Sequence, residues 1–180
     1  MSDSTLFMEH DAILDLIEGM SGLLRKHLAD RGLDDPAMIG IHTGGAWVAE
    51  QLNRILALPE PTGLLDIRFY LDDITQIGVN PQVRPSRIDF DLDNRNVVLV
   101  DDVLHTGRTL RAAMNEIFDY GRPATITLVT LIERGGRQLP IQPDVIGLSP
   151  PLGPGDHIKL NGPQPLSLEI FHGTRTGRGG

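Results

Sequence analysis

The sequence predicts one α/β domain with a mostly parallel central sheet flanked by helices. Short apolar runs alternate along the chain with segments of helical periodicity, and polar or glycine-rich loops follow several of the apolar runs. A repeated strand–loop–helix order requires right-handed crossovers, which place parallel strands side by side and helices on the faces of the sheet. The length of 180 residues suits one domain with a substantial core.

The first half of the chain is predicted to supply two helices and two strands. Apolar residues at helical spacing predict a helix over 11–28, and a short apolar run after a proline predicts a buried strand over 37–41. A helix over 46–56 and a strand over 64–71 come next. Residues 72–93 contain three polar clusters and two prolines, so they are predicted to form a long functional or mobile loop.

The second half continues the same alternation. Its predicted elements are strands over 96–100, 125–132 and 145–148 and a helix over 108–118. These elements complete a single domain over residues 1–172. The segment 173–180 is rich in glycine and lacks apolar residues, so we expect a disordered tail there.

The composition excludes several classes of protein. The 16 basic and 24 acidic residues give a net charge of −8, which argues against a general nucleic-acid coat. Cysteine is absent, which excludes disulfides, thiolate metal sites and a cysteine nucleophile, and fits a reducing cytoplasm. No apolar run reaches the ~18 residues of a membrane helix, and the N-terminus lacks the basic region of a secretory signal, so we expect a cytoplasmic protein.

The stretch Val97–Leu110 (V-V-L-V-D-D-V-L-H-T-G-R-T-L) carries the most chemical information. Two carboxylates, Asp101 and Asp102, come at the end of a buried strand, and a short Thr/Gly loop then opens a helix. Such a loop and helix N-terminus bind anions through backbone N–H groups, and carboxylates accept hydrogen bonds from a vicinal diol. Adjacent acids are often only a solvated turn, but the complete order is far more specific. Together these groups predict a site for a ribose 5-phosphate.

This stretch resembles the phosphoribosyl diphosphate (PRPP) signature of the type I phosphoribosyltransferases. The resemblance is closest to the pyrimidine operon regulator/uracil phosphoribosyltransferase proteins, the PyrR family. Three further segments resemble motifs of that family: residues 66–75 (D-I-R-F-Y-L-D-D-I-T), 119–123 (D-Y-G-R-P) and 133–141 (E-R-G-G-R-Q-L-P-I). The resemblance spans roughly residues 37–160, and the N-terminal helix matches poorly. It implies the type I phosphoribosyltransferase fold, with a small hood over the base.

The resemblance also implies the reaction and its main binding groups. Enzymes of this family displace pyrophosphate from C1 of PRPP with N1 of uracil, which gives UMP. Asp101 and Asp102 are then expected to bind the ribose hydroxyls and, through PRPP oxygens, to face a magnesium ion that neutralises the leaving group. The 5-phosphate is expected to lie against the loop residues Leu104, His105, Thr106, Gly107, Arg108 and Thr109.

A pyrophosphate loop is expected directly after the first predicted strand, at His42, Thr43, Gly44 and Gly45. The family usually has K-T-R-G here, so this chain lacks two cationic groups. Glycine N–H groups can still bind pyrophosphate, and related transferases hold a cis peptide in this loop. A tight turn before a helix would use the same glycines. Restoring an arginine at position 44 is expected to tighten PRPP binding.

Two arginines of the long loop are further candidates for the site. Arg84 and Arg87 lie in the segment that would close over PRPP, and either can replace lost positive charge. Such charge is missing at Leu71, where the family has arginine. Exposed loop arginines are more often simply solvated.

The segment after the fourth predicted strand is where the family places its base-binding hood. Ile132, Arg134 and Arg137 are assigned to it, and Arg137 is also a candidate to approach pyrophosphate. The alternative is a polar turn. His105 stands where the family often has tyrosine, and we expect its backbone rather than its imidazole to bind phosphate.

Several functions follow from this resemblance. A magnesium- and PRPP-dependent uracil phosphoribosyltransferase of pyrimidine salvage ranks first, with PRPP, uracil and UMP as ligands and a homodimer or larger homo-oligomer as the assembly. An RNA-binding regulator of pyrimidine genes that responds to UMP or UTP ranks second. Residues 11–31 hold three basic and four acidic residues, and the whole chain has two lysines, which disfavours RNA. A nucleotide or PRPP sensor without turnover and a transferase for another base are the remaining alternatives.

Overall fold

The computed structural model describes residues 3–67 and 86–173, which form eight strands and three helices. In chain order these elements are β1 (Ser4–Met8), α1 (His10–Asp30), β2 (Ala37–Ile41), α2 (Gly44–Leu56), β3 (Gly63–Leu65), β4 (Asn96–Leu104), α3 (Arg108–Tyr120), β5 (Thr125–Glu133), β6 (Val145–Leu148), β7 (His157–Asn161) and β8 (Ser167–Phe171). Within these two ranges, none of the helices has both the length and the apolar character of a membrane span.

Five strands form a parallel sheet in the order β3–β2–β4–β5–β6, which confirms the predicted fold class. Alternate residues of the central strand β4 point to opposite faces of this sheet. Val98 and Val100 belong to a core cluster that includes residues of α1 and α2. Val97 and Leu99 belong to a second cluster that includes residues of α3. The central sheet is therefore buried on both faces, as its continuous apolar runs predict.

Two strands of the central sheet differ in length from their predictions, because their partners set where pairing stops. β3 ends at Leu65, opposite the last residue of β2, Ile41. The prediction of a strand over 64–71 is too long, and residues 68–71 lie outside the described residues. β4 continues four residues beyond its predicted end and pairs with β5 as far as Leu104, opposite Glu133.

The remaining strands form a small antiparallel sheet in the order β1–β8–β7. None of these strands is in the sequence prediction. β7 nevertheless carries a visible signal, because exposed His157 and Lys159 alternate with buried Ile158 and Leu160. β1 has no such signal: its residues are mostly exposed, and its partner strand lies at the other end of the chain.

Candidate functional site

Three loops meet at the carboxyl edge of the central sheet: residues 42–43 after β2, 105–107 after β4 and 134–142 after β5. The first two contain the predicted pyrophosphate and phosphate sites. Backbone contacts join the second and third loops, since the Arg134 N–H donates to the Leu104 carbonyl at 2.9 Å. Ligands of open parallel sheets bind at this edge, so the candidate site is placed where the topology predicts it.

Loop 105–107 presents backbone donors at the N-terminus of α3. Gly107 adopts φ +94°, a conformation that favours glycine, and its carbonyl accepts the Arg111 N–H at 3.0 Å. The Thr106 hydroxyl accepts the Arg108 N–H at 3.2 Å. N–H groups in a first helical turn have no partner within the helix, and the helix dipole favours an anion beside them. This loop is therefore a cradle suited to a phosphate.

The side chains assigned to the phosphate site divide into three groups. Leu104 is buried in the core, so only its backbone takes part in the loop. Thr106 and Thr109 are half-buried. Arg108 is exposed, and its Nε donates to Gln138 Oε1 at 3.1 Å. The threonine hydroxyls are consequently the side-chain donors best placed to supplement the backbone.

His105 is half-buried inside the cradle. Burial lowers the pKa of this imidazole, and the positive charges of Arg134, His157 and Arg137 lower it further. The ordinary pKa of histidine already lies below 7, so the ring is neutral at pH 7. A neutral ring agrees with the expectation that the backbone of His105, rather than its imidazole, serves a phosphate.

The two carboxylates differ sharply in environment. Asp101 is 3% exposed, and its Oδ1 accepts the Asp102 N–H at 2.9 Å. Its Oδ2 is buried and has no hydrogen-bond partner among the described residues. Burial raises the pKa of Asp101 well above its usual range, and the neighbouring Asp102 raises it further. The predicted strand end at residue 100 is too early, since β4 continues past both acids. The half-buried Asp102 is the one placed to accept hydrogen bonds from a ligand.

The pyrophosphate loop is held by close packing of glycines. The His42 N–H donates to the Leu65 carbonyl at 2.7 Å, and the His42–Thr43 peptide bond is cis. A Cβ on Gly44 would lie 2.3 Å from Asp102 Oδ2, and one on Gly45 would lie 2.6 Å from the Val100 carbonyl oxygen. Real Cβ atoms do not come this close. The approach of the α2 N-terminus to the β4 backbone therefore requires glycine at position 45, whereas a Cβ on Gly44 would displace the Asp102 side chain.

The hood residues assigned from the sequence have three different environments. Ile132 is fully buried in the core, and its carbonyl accepts the Thr130 hydroxyl at 2.9 Å, so its side chain does not reach a base. Arg134 Nη1 lies 3.2 Å from His157 Nδ1. Arg134 and Arg137 both line a cavity of about 270 Å³. Two glycines, Ser149, Glu133 and Pro150 complete the lining of this cavity.

The two loop arginines are not brought to the site by the described residues. Arg84 and Leu71 lie outside the described residues. Arg87 pairs with Asp89 through its Nε at 2.7 Å, and its backbone bridges to Leu64 of β3. A role for Arg84 or Arg87 in binding PRPP stays a prediction.

Sequence reasoning missed Glu133 and Ser149, which hold the hood segment in place. Glu133 accepts hydrogen bonds from Arg137 at 2.5 Å and from the Ser149 hydroxyl at 3.2 Å. The available signal was the spacing of Glu133 and Arg137, four residues apart and opposite in charge. Ser149 has no marker in the sequence.

A magnesium ion fits this site only as a partner of substrate oxygens. Among the residues described, no group of three or more His, Cys, Asp or Glu side chains is arranged to hold a metal ion. The half-buried Asp102 is the more accessible carboxylate of the pair for such an ion. Mg²⁺ usually takes few carboxylates and completes its octahedron with water and substrate phosphates, so the donor set is compatible with it.

The parallel sheet, the anion cradle at α3 and the carboxylate beside the α2 N-terminus define a type I phosphoribosyltransferase. A family model described as the phosphoribosyl transferase domain matches residues 9–161, so the match begins before α1 and extends well beyond the resemblance read from the sequence. The chain is 56% identical over 155 residues to the "Bifunctional protein PyrR" of Pseudomonas aeruginosa (strain LESB58), covering 86% of this chain and 91% of that protein. It therefore belongs to the PyrR family, as its motifs predict.

Other relatives and solved structures agree with this placement. The "Bifunctional protein PyrR" of Nitrosococcus oceani is 52% identical over 157 residues, covering 86% of this chain and 89% of that protein. The hypoxanthine phosphoribosyltransferase of Trypanosoma cruzi has a similar structure, with a TM-score of 0.67 at 18% identity over 94% of this chain and 97% of that one. A purine phosphoribosyltransferase from Pyrococcus horikoshii gives a TM-score of 0.55 at 26% identity over 76% and 81%. The structural similarity shows a shared fold.

Proposed function

We propose that this chain is a uracil phosphoribosyltransferase that joins the ribose 5-phosphate of PRPP to N1 of uracil. One observation carries the proposal: the Asp102 carboxylate lies between two anion-binding loops. It lies beside Gly44 of the α2 N-terminus, and two residues of β4 separate it from the phosphate cradle. PRPP carries an anion at each end of a ribose ring, so an acceptor between two cradles matches its order of groups.

Each part of the site has a role in this reaction. The C1–oxygen bond to pyrophosphate breaks, the bond from C1 to N1 of uracil forms, and the N1 proton is released. The cradle of α3 holds the 5-phosphate, while the N–H groups of Gly44 and Gly45 face the leaving pyrophosphate. Asp102 accepts hydrogen bonds from the ribose hydroxyls and places negative charge beside an oxocarbenium-like ring. Positioning and electrostatics supply most of the rate in such a site.

Asp101 plays a different part because burial raises its pKa and favours its protonated form. Its Oδ1 fixes the Asp102 backbone, and its side chain is shielded from solvent. A magnesium ion bound to pyrophosphate and ribose oxygens would be held on the protein side by Asp102, and it would neutralise charge on the leaving group.

The test is a transferase assay with PRPP, magnesium and a panel of bases that includes uracil, orotate and hypoxanthine. We expect nucleotide formation with uracil, detected as UMP and pyrophosphate by mass spectrometry. Turnover with another base alone would reject uracil as the substrate. PRPP binding without turnover on any base would favour the sensor alternative. Sedimentation of the same sample tests the predicted homodimer or larger homo-oligomer.

A second candidate function is RNA-binding regulation, favoured by the name "Bifunctional protein PyrR" of relatives 56% identical to this chain. On α1, Lys26 pairs with Asp30, and exposed Asp15 and Glu18 lie on the same helix as exposed Arg25, so this helix offers few uncompensated cations. We therefore expect weak binding that falls steeply as salt rises. A gel-shift titration with the leader RNA of the pyrimidine genes, with and without UMP, measures it. Nanomolar, UMP-enhanced binding at physiological salt would place the regulator first.

A further inference from the structure

We propose that Arg137 is a positioning residue that fixes the backbone donors of the phosphate cradle, rather than a cation that touches pyrophosphate or base. The inference rests on the proposed function, in which loop 105–107 binds the 5-phosphate. Its place in the sequence suggests a contact with pyrophosphate, whereas the proposal assigns Arg137 to the 5-phosphate end of PRPP. The brace, as we call it, consists of Arg137, Glu133 and Ser149.

The guanidinium of Arg137 is committed to three protein acceptors. Its Nε donates to the His105 carbonyl at 3.2 Å, and its Nη1 donates to the Ile141 carbonyl at 2.5 Å. Its Nη2 donates to the Glu133 carboxylate, whose other oxygen accepts the Ser149 hydroxyl. Three of the five N–H donors of an arginine are thereby used. The side chain is only 23% exposed.

The bond to His105 is one of a series that fixes the carbonyls of the cradle. The Leu104 carbonyl accepts the Arg134 N–H at 2.9 Å, and the Thr106 carbonyl accepts the N–H groups of Gln138 and Leu139 at 3.0 and 3.1 Å. Three consecutive carbonyls, those of residues 104–106, are therefore bound by the segment 134–139. Arg137 supplies the central bond, and it is the one made by a side chain.

This series determines where the cradle donors point. In a trans peptide the N–H of one residue points opposite to the carbonyl of the residue before it. Because the carbonyls of His105 and Thr106 face the segment 134–139, the N–H groups of Thr106 and Gly107 face away from it. The stem of Arg137 also packs under the turn, with its Cδ 3.6 Å from the position of a Cβ on Gly107. The brace thus fixes the donors before a ligand arrives.

The brace and a direct pyrophosphate contact predict opposite ligand selectivity. UMP carries a 5-phosphate and no pyrophosphate, whereas free pyrophosphate carries no 5-phosphate. In Arg137→Met, the charged hydrogen bond to the His105 carbonyl is lost and the cradle donors are no longer fixed. We therefore expect UMP to bind about tenfold more weakly. Pyrophosphate should bind as it does to the wild type. Calorimetric titration of the full chain with each ligand and magnesium measures both constants.

Matched variants control for charge and folding. Arg111→Gln removes an exposed arginine of α3 one turn beyond the cradle, and both affinities should stay unchanged. Arg137→Lys keeps the charge without the planar fork, so it should restore UMP binding only in part. Glu133→Gln should weaken UMP binding in the same direction and by less. If Arg137→Met does not fold, Arg137→Lys and Glu133→Gln carry the same comparison.

A second readout does not depend on activity. The N–H groups of Gln138 and Leu139, bound to the Thr106 carbonyl, should exchange faster with solvent deuterium in Arg137→Met than in the wild type or Arg111→Gln. Unchanged exchange would overturn the brace. So would a loss of pyrophosphate affinity larger than the loss of UMP affinity. If the wild type binds neither ligand, the proposed function fails, and the exchange measurement still decides the role of Arg137.

Discussion

The two anion-binding loops at the carboxyl edge are held in place by different means. Loop 105–107 is held by hydrogen bonds from another segment, and a Cβ on its glycine would meet only ordinary van der Waals neighbours, at 3.4 Å or more. The glycines that follow loop 42–43 pack so closely that a Cβ on Gly45 would clash with the β4 backbone and one on Gly44 with the Asp102 side chain. The comparison teaches that one loop depends on donors outside it, whereas the other depends on the two glycines that directly follow it.

The largest expected effect comes from the carboxylate that both loops share. Asp102→Asn removes the anionic acceptor between the loops, so kcat/KM for PRPP should fall about a thousandfold, the effect of weakening two charge-assisted hydrogen bonds. Steady-state kinetics with uracil and PRPP measures this loss. A value near that of the wild type would show that the ribose hydroxyls bind elsewhere.

Asp101→Asn is the matched control, because burial raises the pKa of Asp101 and already favours its protonated form. Its kcat/KM should change only a few-fold, and it should also alter the response of stability to pH. A raised folded-state pKa means that the wild type loses free energy of unfolding as pH rises above about 4, where the unfolded chain ionises. The asparagine variant should lack that decline, as urea titrations between pH 4 and 8 would show.

Gly44→Ala is expected to lower kcat/KM about a hundredfold, because the new methyl group displaces the Asp102 carboxylate. Gly44→Arg should lose at least as much, the opposite of what the family motif predicts from charge alone. Calorimetry with PRPP and magnesium checks both variants. Tighter binding in folded Gly44→Arg would mean that Asp102 moves aside at little cost.

Gly107→Ala tests the other loop, because the alanine would be strained by its backbone conformation and would not clash with its neighbours. Alanine at φ +94° is strained, and we expect the free energy of unfolding to fall by about 1–2 kcal/mol. UMP should bind about tenfold more weakly as the cradle relaxes. Denaturant unfolding and UMP titration measure the two effects. Wild-type UMP affinity in this variant would argue that the cradle does not need this turn.

The smallest expected effect belongs to a single hydroxyl of the cradle. Thr109→Val should raise the Michaelis constant for PRPP about fivefold and leave that for uracil unchanged, since one hydrogen bond is lost at the phosphate end. Thr109→Ser keeps the hydroxyl and should resemble the wild type. Equal changes in both constants would point to a general disturbance of α3.

The sequence was sufficient for the central sheet and for the position of the site, because both depend on local patterns. The apolar runs of β2, β4 and β5 and the D-D and glycine motifs are contiguous in the chain. The burial of each carboxylate was not predictable, because it depends on how far β5 extends beside β4. The crowding at Gly44 and the acceptors of Arg137 likewise depend on residues distant in sequence.

The small antiparallel sheet has a consequence for the order in which the chain folds. Its β1–β8 pairing sets Thr5 opposite Ile170, so almost the entire chain must be looped out before those two residues meet. Contacts of such wide sequence separation lose more chain entropy on closure and tend to form late. The central sheet is built from nearer neighbours and can assemble first. We therefore expect the two ends of the chain to join last, and to be the first part to separate under mild denaturant.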